Sequence, residues 1–180
     1  MRAVLDTCVI FPTVMREMLL GAARAEFYTP LWSARILEEW ARASIKLGPT
    51  GEAQARSEIA LIRANWPGAE VAPAPGIEQR LWLPDAADVH VLAAAIAGSA
   101  DTIVTVNRRD FPRHLLAEED LDRIDPDTML VQFWQDQPAQ IASVAAKVLD
   151  EANRLSGGTW EMRPLLKKAR LPRLAKALTN

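Results

Sequence analysis

Residues 85–110, DAADVHVLAAAIAGSADTIVTVNRRD, decide how the rest of the chain is read. Asp85 predicts a helix N-cap with Asp88 three residues in, and Val89, Leu92, Ala93 and Ile96 form a buried face until Gly98 closes the helix. The β-branched run 102–106 then predicts a buried strand that delivers Asn107 and Asp110 into the following loop. A helix followed directly by a buried strand is the repeating unit of an α/β fold with a parallel sheet.

Upstream, apolar residues 3–5 lead into Asp6. They predict a short buried strand with Asp6 at its carboxyl end, the rim where parallel sheets hold their ligands. Pro12 opens a helix in which Val14, Met18, Leu19 and Ala22 recur to about residue 25. Residues 27–29 read as a brief second strand. Ser33 caps a helix with Ile36, Leu37, Trp40 and Ile45 on its buried side, ending near Gly48-Pro49, and Glu39 lies along the edge of that stripe. A third helix over 51–66 follows Thr50 and stops at Pro67-Gly68, and Val71 marks a further strand. Beyond Asp125-Pro126 the pattern is helical, over 128–134 and then 138–155, until Ser156-Gly157-Gly158 breaks it and the tail looks appended. The reading is an α/β sandwich with a mostly parallel central sheet plus a C-terminal helical extension.

Of the 180 residues, 49% are hydrophobic and 24% charged, values close to those of soluble domains, which excludes disordered and collagen-like classes. The apolar stretch 89–97, interrupted by His90, falls far short of the ~20 residues a bilayer crossing needs. Met1-Arg2 leads into only three apolar residues before Asp6, so no signal peptide is expected and the expected address is cytoplasmic. Cys8 is the single cysteine and reads as small core filler in a reducing compartment. His90 and His114 offer no zinc spacing and read as packing or surface residues. The net charge of −2 hides an asymmetry: residues 160–180 carry six bases against Glu161, leaving the remainder near −7. Residues 110–127, with seven acids against Arg113 and Arg123, are unsuited to binding phosphate unaided.

Asp6, Glu39, Asp85, Asp88 and Asp110 each adjoin an apolar segment, so folding can gather them into one pocket, with Asn107 beside them. Crowded carboxylates repel one another, and a hard cation with oxygen ligands is the common reason for tolerating them. Each residue has an ordinary alternative. An Asp after a strand is usually a turn residue or cap, a helical Glu is usually solvated, Asp85 reads as an N-cap before a ligand, and Asn107 suits a left-handed loop position.

Laid end to end, residues 4–9 (VLDTCV), 33–40 (SARILEEW) and 85–110 running into Phe111-Pro112 resemble the PIN domain family of metal-dependent ribonucleases, particularly the toxin branch called VapC. The resemblance covers about residues 1–135, read as a PIN-like nuclease domain, with 136–180 as a helical extension ending in a basic tail. It implies that Asp6, Glu39, Asp88 and Asp110 are the catalytic acids and ligands of Mg2+ or Mn2+. Glu38 competes with Glu39 for the second place but lies about 100° around the helix. Many relatives place aspartate where this chain has Asn107, whose carbonyl can still serve a ligand or water. The same resemblance implies supporting hydrogen bonds from Thr7 and Thr105, hydrolysis of RNA phosphodiester bonds to 3′-hydroxyl and 5′-phosphate ends, a cognate antitoxin inserted over the site, and a homodimer.

Arg108 and Arg109 are candidates for contact with RNA phosphates. Trp40 and Trp134 read as core, while Trp32, Trp66, Trp82 and Trp160 stand near predicted boundaries where exposure, and hence stacking on RNA bases, is open. The basic tail has three readings: a phosphate-binding arm, a docking surface for an acidic partner, or a solvated amphipathic helix packed through Leu165, Leu166, Leu171, Leu174 and Leu178. Two other functions compete. A haloacid-dehalogenase-like phosphotransfer site wants a second Asp where Cys8 stands. A catalytically inactive PIN-like module that binds RNA or protein is favoured by Asn107 and opposed by Asp6, Glu39, Asp88 and Asp110.

Overall fold

Strand β1 (Arg2–Leu5) is the centre of the molecule's sheet. In the computed structural model, which describes residues 1–179, Ala3, Val4 and Leu5 are fully buried, as expected of a strand covered on both faces. The chain divides into two compact units, residues 1–11 with 29–123, and residues 12–28 with 124–180. The division at 135 in the sequence reading rests on resemblance rather than on compactness.

In the first unit, β1 pairs in parallel with β2 (Thr29–Ser33) on one side and β4 (Thr102–Val104) on the other. β2 pairs in parallel with β3 (Glu70–Val71), and β5 (Asp122–Ile124) lies outside β4, giving the order β3-β2-β1-β4-β5. The second strand thus begins where the sequence reading ends it, and β4 stops two residues early, so that Thr105 and Val106 already belong to the turn. Trp32 is fully buried within β2.

The helices of this unit are α1 (Thr7–Ile10), α3 (Ala34–Ala43), α4 (Gly51–Asn65), α5 (Pro75–Glu78), α6 (Val89–Ala97) and α7 (Arg113–Ala117). Ser33 caps α3 by accepting from the Ile36 N–H at 3.2 Å. Three residues of 3-10 helix (Ala86–Asp88) precede α6, which packs on β1, β2 and β4. Gly98 closes α6 with an ordinary φ of −82°, and the left-handed residue is Ser99, at φ 48°. Glycine is needed for space: a Cβ there would stand 2.9 Å from a Val71 methyl and 3.0 Å from one of Leu31, so its absence lets the helix end settle on β2 and β3.

The second unit is helical. α2 (Thr13–Arg24), α8 (Pro126–Asp136) and α9 (Pro138–Ser156) pack on one another, and α9 ends at Gly157 in the left-handed conformation, φ 61°. The tail is two short helices, α10 (Met162–Lys168) and α11 (Pro172–Leu178), and it is not a loose appendage. Leu165, Leu166, Leu171 and Leu174 are buried, α10 and α11 pack on each other, and α11 packs on α8. The buried Asp127 carboxylate accepts from the Arg173 and Leu174 N–H groups, both at 2.9 Å, and so caps α11.

Candidate active site

The carboxyl ends of β1 and β4 lie side by side, joined by the Asp6 N–H to Val104 C=O bond of 3.2 Å, which continues their pairing. That register brings Asp6 and Thr105 together, ninety-nine residues apart in sequence. Asp6 occupies the N-cap position of α1 but makes no capping bond with its side chain. Its Oδ2 instead accepts from Thr105 Oγ1 at 2.7 Å and from the Cys8 thiol at 3.0 Å, so Oδ1 is the oxygen these two donors leave untouched. Burial, reinforced by the charge of Asp6, pushes the Cys8 thiol up to about 12, so at neutral pH the sulfur is a hydrogen-bond donor and not a thiolate. Cys8 is therefore more than core filler, and nothing in its sequence context marks the contact.

Asp88 stands at the start of α6, likewise without a side-chain capping bond. Asp85, Asp88 and Asp110 each present an oxygen within 4.8 Å of the others. Asp85 is exposed and also accepts from the Ala87 N–H at 2.9 Å, so it caps and joins the cluster. Burial and the charges of Asp6, Asp85 and Asp110 push the Asp88 carboxyl up to about 6. The Asn107 side-chain nitrogen donates to Asp110 and reaches Asp88 at 3.4 Å. In this arrangement Asn107 offers its amide hydrogens to the two acids, and its carbonyl is not the group facing them.

Glu39 lies apart from that trio. Its Oε2 accepts from Thr7 Oγ1 at 2.9 Å, and its Oε1 lies 2.9 Å from His90 Nε2 and 3.6 Å from Arg35 Nε. Burial raises its carboxyl, but His90, Thr7 and Arg35 outweigh that and hold it below the usual glutamate value. Neighbouring Glu38 faces outward into Arg56 and Arg42, whose hydrogen bonds hold it down to about 2. His90 is buried, and sequence reading gave it no part in the site; a histidine on an apolar helix face carries no signal that separates a core residue from a site residue. His114 is exposed on α7. Arg108 and Arg109 are exposed on the loop between Asn107 and Asp110.

The oxygen donor set fits a hard divalent cation. Three carboxylate oxygens within 4.8 Å of one another are close enough that Asp85, Asp88 and Asp110 would hold one hard cation between them. The raised Asp88 carboxyl is the second sign of fit, because clustered negative charge of this kind is relieved by a cation.

The sheet is parallel, with Asp6 at the carboxyl end of β1 and Asn107 and Asp110 in the loop beyond β4. The family model described as PIN domain matches residues 2–109, and the chain belongs to the PIN domain family, whose members are generally metal-dependent nucleases. No curated protein and no solved structure gives a significant match. Among the described residues no helix is long and apolar enough to cross a membrane.

Proposed function

We propose that this chain is a Mg2+- or Mn2+-dependent endoribonuclease, the toxin of a toxin-antitoxin pair of the VapC kind. The observation that carries the reading is the convergence of Asp85, Asp88 and Asp110, with the field of Asp6 added to theirs at Asp88. In this reading Asp85, Asp88 and Asp110 would hold the cation directly, with Asp6 beside them and Glu39, apart from the trio, reaching it through water. A bound Mg2+ or Mn2+ supplies charge that neutralises the scissile phosphate and makes water nucleophilic near neutral pH. The protein's part is orientation. Thr105 and Cys8 fix the Asp6 carboxylate, Thr7 fixes Glu39, and Asn107 keeps Asp110 against Asp88. Binding of a cation is expected to release the proton that Asp88 keeps below about pH 6.

Arg108 and Arg109 stand where an RNA backbone approaching the acids would meet positive charge. A cognate antitoxin covering the acids, a homodimer and a cytoplasmic location belong to the same proposal, as does the assignment of residues 1–135 to the nuclease domain and 136–180 to its extension.

The test is cleavage of a mixed single-stranded and structured RNA pool in Mg2+ or Mn2+, with EDTA controls and Asp6→Asn alongside the wild type. Cutting that requires both metal and Asp6 supports the proposal. Equal cutting by wild type and Asp6→Asn, or none by either, removes it. One observation favours a second reading, an inactive PIN-like binding module: Asn107 places an amide where another acid would complete the cluster. A module of that kind shows no Mn2+-dependent rise in melting temperature.

A further inference from the structure

α6 is an apolar helix, and His90 in its first turn is 5% exposed. A buried imidazole ordinarily satisfies both nitrogens, one as donor and one as acceptor. Among the described residues neither ring nitrogen has a hydrogen-bond partner, although Nε2 lies 2.9 Å from Glu39 Oε1, within bonding distance but off the line of an N–H bond. Leucine would fill such a position in an apolar helix without placing two polar atoms out of water. The imidazole therefore needs a reason, and the Glu39 carboxylate beside it supplies one. Glu39 is bracketed: His90 from α6 reaches one oxygen, and Thr7 from α1 donates to the other at 2.9 Å.

We propose that His90 is a positioning residue that directs its Nε2 proton at Glu39 Oε1 and, with Thr7, holds the Glu39 carboxylate in the orientation the active site uses. The proposal rests on the nuclease reading for the consequence of that hold. The carboxylate lies between Thr7, which donates to Oε2, and the His90 Nε2 atom 2.9 Å from Oε1, so turning it takes it away from one or the other. Removing the ring nitrogen frees Glu39 to swing toward Arg35, whose Nε already lies 3.6 Å from the same oxygen.

The experiment compares His90→Leu, His90→Gln, Glu39→Gln and the double variant His90→Leu/Glu39→Gln with wild type. The readouts are the ring nitrogen NMR spectrum, Mn2+ affinity by electron paramagnetic resonance, RNA cleavage and melting temperature. In metal-free wild type the His90 ring carries a proton on Nε2 whose resonance moves in Glu39→Gln. His90→Leu melts at or above the wild-type temperature yet cleaves roughly 10- to 100-fold more slowly, the loss typical of groups that orient a ligand. Glutamine, which can place an N–H near the Nε2 position, restores most of that rate. The double variant is no slower than Glu39→Gln alone.

A bare Nε2, glutamine no better than leucine, or losses that multiply in the double variant would each overturn the role of His90. If His90→Leu fails to fold, the ring spectrum and the glutamine variant still decide. A wild type that binds no Mn2+ and cuts no RNA fails the nuclease reading, and the ring spectrum then tells separately whether His90 holds Glu39. A wild type that does both, with His90→Leu its equal, removes only the positioning role.

Discussion

Asp88 and Asp127 both sit at helix starts, and their surroundings are opposite. Asp127 is buried, and each of its oxygens accepts a backbone N–H of α11 at 2.9 Å. Asp88 is half-buried, faces the charges of Asp6, Asp85 and Asp110, and has only the distant Asn107 amide at 3.4 Å. Burial alone therefore does not single out a functional acid. A carboxylate whose lone pairs are met by the fold stabilises the fold, whereas one left among like charges costs the fold free energy unless a proton or a cation relieves it.

The sharpest way to break this comparison is to remove charge at the cluster's deepest member. Asp6→Asn keeps the shape and one oxygen for Thr105, so the fold is expected to survive. Cleavage is expected to fall by more than about 100-fold, beyond the range typical of groups that only orient a ligand. Time courses in saturating Mn2+ check it, and a loss below tenfold would place Asp6 outside the catalytic set. At the satisfied acid the expectation reverses. Asp127→Ala leaves two N–H groups of α11 without their cap, which destabilises by about 2 kcal/mol and lowers the melting temperature by about 4–8 °C, with Mn2+ affinity unchanged. Calorimetry with and without Mn2+ separates the two kinds of aspartate directly.

A smaller effect concerns pH. The Asp88 carboxyl stands at about 6 in the fold against the usual 3.8, so the native state binds this proton more tightly than the unfolded chain does. Its contribution to stability is complete below about 3.8 and is lost as pH rises through about 6. Asn at this position is always neutral. Without metal, Asp88→Asn is expected to be more stable than wild type above pH 6, by on the order of 1 kcal/mol once solvent screening is allowed for, with the gap closing below pH 4. Excess Mn2+ is expected to reverse the order at pH 7, because only the wild type gains the full binding free energy. Melting curves across pH 3.5–8 read both, and an Asp88→Asn advantage that persists at pH 3.5 would mean that its source is packing rather than charge.

What the chain disclosed in advance follows from the range over which each interaction acts. The helix of residues 85–97 and the strand after it were legible because apolar periodicity and β-branching are local, and they carried Asp88, Asn107 and Asp110 to one end of the sheet. β5 was not: its three residues, Asp122–Ile124, include two charges and no apolar alternation. α1 is four residues long and has no periodicity to detect. The part played by Asp127 depends on N–H groups 46 and 47 residues away, so its sequence neighbours show only a helix start. His90 is recognisable only once the fold has brought Glu39 beside it, and Cys8, although two residues from Asp6, only once the turn after β1 points its thiol at that carboxylate.

The smallest predicted effect tests the cluster at the amide of Asn107. Asn107 now donates to Asp110 and reaches Asp88, so its amide partly relieves the crowding there. Asn107→Asp removes those donors and adds a like charge in almost the same volume. Metal-free protein at pH 7 is therefore expected to lose a few tenths of a kcal/mol to about 1 kcal/mol, in the range measured for exposed or half-exposed charge pairs. In Mn2+ the added oxygen ligand is expected to give a larger melting-temperature rise than the wild type shows, and cleavage at limiting Mn2+ is expected to increase. If Asn107→Asp instead weakens Mn2+ binding, the amide is itself part of how this chain holds its cation, and the acids alone do not define the site.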